Sequence, residues 1–209
     1  MQYRSAFSTT LFALLVAGLA FVLPATAVAE EDATAEEAQG ATQYEIDAVH
    51  SSVVFRIKHL DVGYVFGMFR GFEGEFVFDE DNPEASSFNF TIDATSVFTN
   101  QQDRDDHLRS PDFFAAEEHP EITFESTSVK HRGGETYDIT GNLTMRGTTE
   151  EITMVADQTG TGTGREGEFR RGFMTTFAVN RLDFGVDFMP EGLGEYVRVM
   201  LAVQGVAQE

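Results

Sequence analysis

Residues 52–60 read SVVFRIKHL, with Val53, Phe55, Ile57 and His59 on one side of the alternation and Val54, Arg56 and Lys58 on the other. A period of two with apolar and charged sides is the mark of an antiparallel strand with one buried and one wet face. The pattern recurs along the chain. In SFNFTIDA (87–94), Phe88, Phe90 and Ile92 alternate with Asn89, Thr91 and Asp93, and in EITFES (121–126), Ile122 and Phe124 alternate with Glu121, Thr123 and Glu125. Tyr137, Ile139, Leu143 and Met145 continue it, then Ile152 and Met154, then Phe173, Phe177 and Val179 in GFMTTFAVN, and Val197, Val199, Leu201 and Val203 in YVRVMLAVQG. Eight strands follow, near 46–59, 65–78, 86–96, 121–130, 136–145, 150–157, 170–180 and 195–206. The stretches DEDNPEA (79–85), HRGGET (131–136), MRGTTEE (145–151) and DQTGTGTGREGE (157–168) supply the reversals between them.

Residues 100–109 lack the alternation and are stopped by Pro111, which predicts one short helix. Gly63, Gly67, Gly71 and Gly74 punctuate the second strand, where glycine marks a bulge or a sharp corner. An all-β chain of eight antiparallel strands with one helix suits a closed up-and-down barrel, which leaves no sheet edge. Outward positions such as Arg56, Lys58, Asn89, Asp93, Glu121, Glu125 and Arg198 are polar, the reverse of a lipid-facing band, so stable membrane insertion is not expected.

Outside the strands, residues 1–29 read as a secretory signal: Arg4, an apolar run from Leu11 to Leu23, and Ala27-Val28-Ala29 as the cleavage site. The expected destination is the periplasm or the extracellular medium. Residues 30–43, EEDATAEEAQGATQ, read as an acidic flexible linker, which leaves 44–209 as one folded domain. The chain has no cysteine, which removes disulfides and thiolate metal sites. Its net charge of -21, with only Lys58 and Lys130 as lysines, disfavours nucleic acid and anionic surfaces as partners. Solubility and adaptation to high salt both explain that charge, and the oligomeric state is open between a monomer and a homodimer.

The chain has twenty Phe and no Trp, and the inward faces carry much of that Phe. Phe brings large apolar area with no polar tip to satisfy, a composition that fits a filled core and a hollow tunnel equally. For chemistry, the stretch RDDHLRSPDFFAAEEHP (104–120) is the densest candidate. Adjacent helical residues such as Asp105, Asp106 and His107 do not converge on one ion or one substrate atom, and the chain shows none of the common metal or nucleophile motifs. No catalytic and no metal residues are assigned, although a secreted hydrolase built around Asp105 and His107 is the alternative reading. The stretch is expected to close one end of the barrel, with Asp103 or Asp105 and Arg109 complementing the helix dipole.

Taken in order, YEIDAVHSSVVFRIKH (44–59), GMFRGFEGEFVFD (67–79), RDDHLRSPDFFAAEEHPEITFEST (104–127), GNLTMRGTTEEI (141–152) and NRLDFGV (180–186) resemble the YceI-like family of exported lipid-binding proteins. The resemblance covers 44–209. Tyr44 stands where that family usually has Trp, and Ala115 follows Phe113-Phe114 where an Asp is common. What it implies is a lipocalin-like eight-stranded barrel whose tunnel accepts a long isoprenoid chain, a polyprenyl lipid or quinone tail, or a similar amphiphile, with no other cofactor. The expected tunnel lining is Val53, Phe55, Ile57, His59, Phe88, Phe90, Ile92, Phe124, Phe173, Phe177 and Leu201, with Arg104, His107, Arg109, Phe113 and Phe114 at the mouth.

Overall fold

Eleven strands close a single antiparallel sheet in the computed structural model, which describes residues 40–208. The expected signal and most of the expected linker lie outside the described residues. The strands are β1 (Thr42–Ile46), β2 (Ser52–His59), β3 (Gly63–Phe69), β4 (Phe72–Phe78), β5 (Ser87–Asp93), β6 (Val97–Phe98), β7 (Glu121–Gly133), β8 (Thr136–Met145), β9 (Thr148–Thr163), β10 (Phe169–Asn180) and β11 (Tyr196–Ala207), with helix α1 at Gln102–Arg109. β1 pairs with both β4 and β11, which shuts the barrel.

The eleven strands form eight staves, because three staves are broken. β1 and β2 lie end to end along β11, Tyr44 opposite Ala207 and Ser52 opposite Ala202. β3 follows β2 and β4 follows β1, while β6 and β5 run beside them in turn. The fold is therefore the closed eight-stranded antiparallel barrel with one helix that the alternation predicts. Two boundaries differ most. β1 starts at Thr42, inside the stretch read as linker, because strand pairing needs only backbone: Thr42 sits opposite Phe78, and the Gln43 carbonyl accepts from Gln208 N–H at 2.8 Å. β9 runs to Thr163, through Gly160 and Gly162, so the reversal is confined to 164–168.

Two of the three breaks have a plain physical basis. At Gly71 the backbone approaches the neighbouring stave so closely that a Cβ would come within 2.7 Å of Asp93 Cβ. Between β1 and β2 the turn is built on Asp47, whose carboxylate accepts from Val49 N–H at 3.0 Å, His50 Nδ1 at 2.7 Å and Arg170 Nη1 at 2.5 Å. The Arg170 bond, then that of His50, lowers the Asp47 pKa to about 2. A carboxylate held below its unfolded value stabilises the fold fully above that value and stops doing so as pH falls through the folded one. The gap between the melting temperatures of the wild type and Asp47→Asn is thus expected to be widest at neutral pH and to close between about pH 4 and pH 2. A gap that stays constant to pH 2 would show that the charge on Asp47 contributes nothing.

One end of the barrel is filled. Tyr44 and Phe76 stack at 4.6 Å between centroids and Phe76 and Phe88 at 5.3 Å, while the Phe173 ring meets Phe76, Phe78 and Phe88 edge-on at 5.1–5.5 Å. Tyr137 meets Phe78 edge-on at 5.2 Å. Arg171, buried to 2 % exposure, seals this plug: its guanidinium lies 4.8 Å over the Phe78 ring, its Nε donates to Tyr44 Oη at 3.2 Å and its Nη2 to Glu80 at 3.0 Å. The Tyr44 hydroxyl, a polar tip in the stacked core, thereby gains a partner.

Candidate functional site

The other half of the barrel is hollow. A cavity of about 380 Å³ runs from mid-barrel to the end covered by α1 and by the segment between β10 and β11. Val53, Phe55, Ile57, His59, Ile92 and Phe177 line it, as their inward phase predicts. Phe90, Phe124 and Leu201 line a recess of about 40 Å³ that shares Val53, Ile92 and Phe177 with the main cavity. Phe88 and Phe173, placed on the tunnel wall by the same phase, instead sit in the aromatic plug at 1 % and 3 % exposure. Phase along a strand tells which face a residue occupies. It does not tell at what height the barrel fills, which is decided by the rings that meet it from other staves.

The hollow half stays open because its large rings lie flat on the wall. Phe55 faces Gly67 across the β2–β3 pair, and a Cβ at Gly67 would sit 2.3 Å from Phe55 Cζ. Phe124 lies over Gly141 in the same way, at 2.5 Å. Each ring occupies the space its neighbour's missing side chain leaves, so neither projects along the barrel axis.

The mouth has two covers. The first is α1 with the turns after it. Gln101 caps the helix, its Oε1 accepting from Arg104 N–H at 2.6 Å. Asp105 does more than complement the dipole: it is buried, and its Oδ1 accepts from both the backbone N–H (2.7 Å) and the hydroxyl of Thr99. Arg104 holds the same residue from the other side, Nε to Thr99 Oγ1 at 2.7 Å and Nη2 to Thr99 O at 2.8 Å. His107, Phe113 and Phe114 reach the cavity together with Arg104. Arg109, expected at the mouth, does not. It binds Asp106 and reaches the carbonyls of Thr95 and Val97 at 3.4 Å, because its position near the helix end faces the sheet edge at β6. Ala115, where the resembled family commonly has Asp, is 5 % exposed at φ 48°, so no carboxylate faces the ligand space from that position.

The second cover is the 181–195 segment, which the alternation reading leaves as a connection. Arg181 organises it from within at 3 % exposure, donating Nε to Gly194 O at 3.0 Å and its Nη groups to the carbonyls of Val186 (2.5 Å), Phe188 (3.1 Å) and Leu193 (3.3 Å). Burial lowers the pKa of this guanidinium, against the fields of Asp187 and Glu195. Val186, Phe188, Met189 and Leu193 thereby become cavity wall. A usable signal was present: Leu182, Phe184, Val186 and Phe188 alternate with polar residues or glycine at 183, 185 and 187. The segment also docks on the β2–β3 hairpin, Leu60 N–H donating to Gly192 O at 2.7 Å.

The arrangement offers a place to hold an apolar chain and little with which to cut one. The Asp105 carboxylate is committed to Thr99, and His107 Nε2 donates to Asp112 Oδ2 at 2.8 Å, away from Asp105. The two residues of the hydrolase reading are thus not brought together as an acid–base pair. Among the described residues, no cluster of three His, Cys, Asp or Glu could hold a metal ion, and no helix is long and apolar enough to cross a membrane.

A family model described as a YceI-like domain matches residues 44–205. A UPF0312 protein of Pectobacterium carotovorum is 41 % identical over 171 residues, 81 % of this chain and 88 % of that one. Among solved structures, BcnA of Burkholderia cenocepacia superposes with a TM-score of 0.70 at 24 % identity, over 76 % of this chain and 98 % of that one. A polyisoprenoid-binding domain from Saccharophagus degradans superposes with a TM-score of 0.61 at 14 % identity, over 79 % and 98 % of the two chains.

Proposed function

The chain belongs to the YceI-like family, and from that premise we propose that it is an exported, non-catalytic carrier. Its ligand is a long-chain isoprenoid or similar amphiphilic lipid, such as a polyprenyl lipid or a quinone. The observation that carries this reading is the apolar cavity of about 380 Å³, walled by residues of β2, β3, β5, β7, β8, β10 and β11 and covered at its mouth. Each methylene moved from water into such a space contributes about 0.8 kcal/mol, so a chain of a dozen carbons binds tightly without any covalent step. The name of the Saccharophagus neighbour, a polyisoprenoid-binding domain on the same fold, supports the choice of ligand class.

Filling the cavity tests the reading. Val199 lines both the main cavity and the recess, opposite Phe55 on one side and Phe177 on the other. In Val199→Trp the indole is expected to occupy ligand volume: the melting temperature stays close to wild type while retained lipid, read by mass spectrometry of solvent extracts, falls by about tenfold. A variant that loses the about 1–3 kcal/mol typical of an overpacked core, with its lipid content unchanged, would place the ligand elsewhere.

A further inference from the structure

Charge is segregated around the outside of the barrel. The strands β10, β11, β2, β3 and β6 are consecutive in the sheet and contain no Asp or Glu, although the chain has 35 acidic residues and every other strand contains at least one. Basic residues stand on this wall instead. Arg198, Arg56 and Phe66 form a row across β11, β2 and β3, Lys58 and Tyr64 form the next row toward the hairpin tip, and Arg70 follows β3. Arg56, Arg70 and Arg198 are in no ion pair among the described residues, while Lys58 pairs with Asp61 at 3.2 Å. The Arg56 guanidinium lies 4.6 Å over the Tyr64 ring and that of Arg70 lies 3.6 Å over Phe98.

The same wall gathers exposed apolar side chains. Leu60 and Val62 at the tip of the β2–β3 hairpin, Tyr64 and Phe66 on its outer side, Tyr196 on β11 and Met174 on β10 are each at least 50 % exposed. Val62, at 90 %, projects beyond its neighbours, which suits entry between lipid headgroups. Aromatic rings interleaved with Arg and Lys are the composition that settles at the headgroup level of a bilayer, apolar bodies inward and charges among the phosphates. The net charge of -21 reads against an anionic surface, but it averages over walls that the barrel separates. Eight staves spaced about 4.8 Å apart put the far wall more than about 12 Å away, beyond the screening length of about 10 Å at 0.1 M salt. At that ionic strength a bilayer senses chiefly the wall that faces it.

We propose that the outer face of β2, β3 and β11 docks peripherally on an anionic phospholipid surface, with Arg56, Arg198 and Arg70 among the headgroups and Val62, Tyr64 and Phe66 at the acyl boundary. Acidic residues fix the limits of the contact: Asp61 is neutralised by Lys58, while Asp187, Glu191 and Glu195 are exposed on the cover at the mouth and keep that cover off the surface. His59 and Val65 of the same hairpin line the cavity, so docking brings the rim of the cavity to the bilayer. The proposal stands on the wall alone and does not depend on the carrier reading.

The probes are vesicles of phosphatidylcholine alone and with about one-third phosphatidylglycerol, and co-sedimentation of the full chain gives the partition coefficient. Residues 1–39 are common to every variant, so the ratio between variants reports the wall. Each basic residue at such a surface is worth about fivefold in partition, so Arg56→Gln/Arg198→Gln is expected to bind the anionic vesicles about 25-fold more weakly than wild type, with its melting temperature unchanged and its partition into neutral vesicles the same. Glu125→Gln/Glu151→Gln is the control. It removes two exposed acids that flank Asn142 on β8, four staves from β2, and is expected to change partition less than about twofold. Changes of equal size and opposite sign in the two double variants would show that net charge governs and would overturn the proposal. Binding of the wild type to the anionic vesicles is expected to rise from about 0.01 M to 0.1 M salt and to fall toward 1 M; a rise that continues to 1 M would overturn the cationic contact. Equal partition of wild type and Arg56→Gln/Arg198→Gln would also overturn it and leave an acidic protein as the occupant of this wall. Retained lipid in Val199→Trp tests the carrier reading separately from all of these results.

Discussion

Phe76→Ala is expected to destabilise the barrel by about 3–5 kcal/mol, the usual cost of removing a fully buried aromatic ring. Phe76 is 0 % exposed and is the hub of the plug, in contact with Tyr44, Phe88 and Phe173. Its ring also lies against Gly205, where a Cβ would come within 2.4 Å of Phe76 Cε1. The ring therefore fills a space that no neighbouring side chain can reach, and little collapse can offset its loss. For a domain of this length the change corresponds to roughly 10 °C in melting temperature. Denaturant unfolding measures it directly. A loss under about 1 kcal/mol would mean that the plug end is not the tightly packed half and that the division into filled and hollow halves is wrong.

Arg181→Met is expected to have the next largest effect. Methionine keeps an unbranched apolar stem but lacks the guanidinium and offers no donor, so the carbonyls of Val186, Phe188, Leu193 and Gly194 lose their shared partner. Hydrogen bonds to charged groups are worth about 1.5–3 kcal/mol each, and the freed segment recovers part of that by opening to water. The net loss is expected to be about 3 kcal/mol, concentrated in the mouth. Hydrogen exchange locates it: amides of 186–194 should exchange at least about tenfold faster while those of the plug strands change only with global stability. Unchanged protection in 186–194 would show that Arg181 does not hold this cover.

The barrel itself was legible from alternation because one face of each stave is wet, so the period of two survives in sequence. Of the three broken staves, glycine marked the corner at Gly71, but a kink such as the Asp47 turn was not legible, since it depends on partners more than a hundred residues away, Arg170 among them. The tunnel residues were read by phase, and phase was sufficient for Val53, Phe55 and Phe177. It failed for Phe88 and Phe173, whose surroundings are set by rings on other staves. At the mouth the sequence singled out α1, a region dense in charge, and passed over 181–195, whose apolar residues are in plain view but whose fold depends on one buried arginine. The same charge density suggested chemistry. In the structure, Asp105 and Arg104 are spent on Thr99, which ties the helix to the sheet.

On the proposed carrier function, the hollow half of this barrel holds a lipid chain. Native mass spectrometry of the protein, purified without detergent or organic solvent, tests this directly. One long-chain lipid per barrel is expected, released by solvent extraction and reduced in Val199→Trp. A protein that carries the bare polypeptide mass throughout, and stays bare when offered farnesyl phosphate and hexadecanoate, would contradict it.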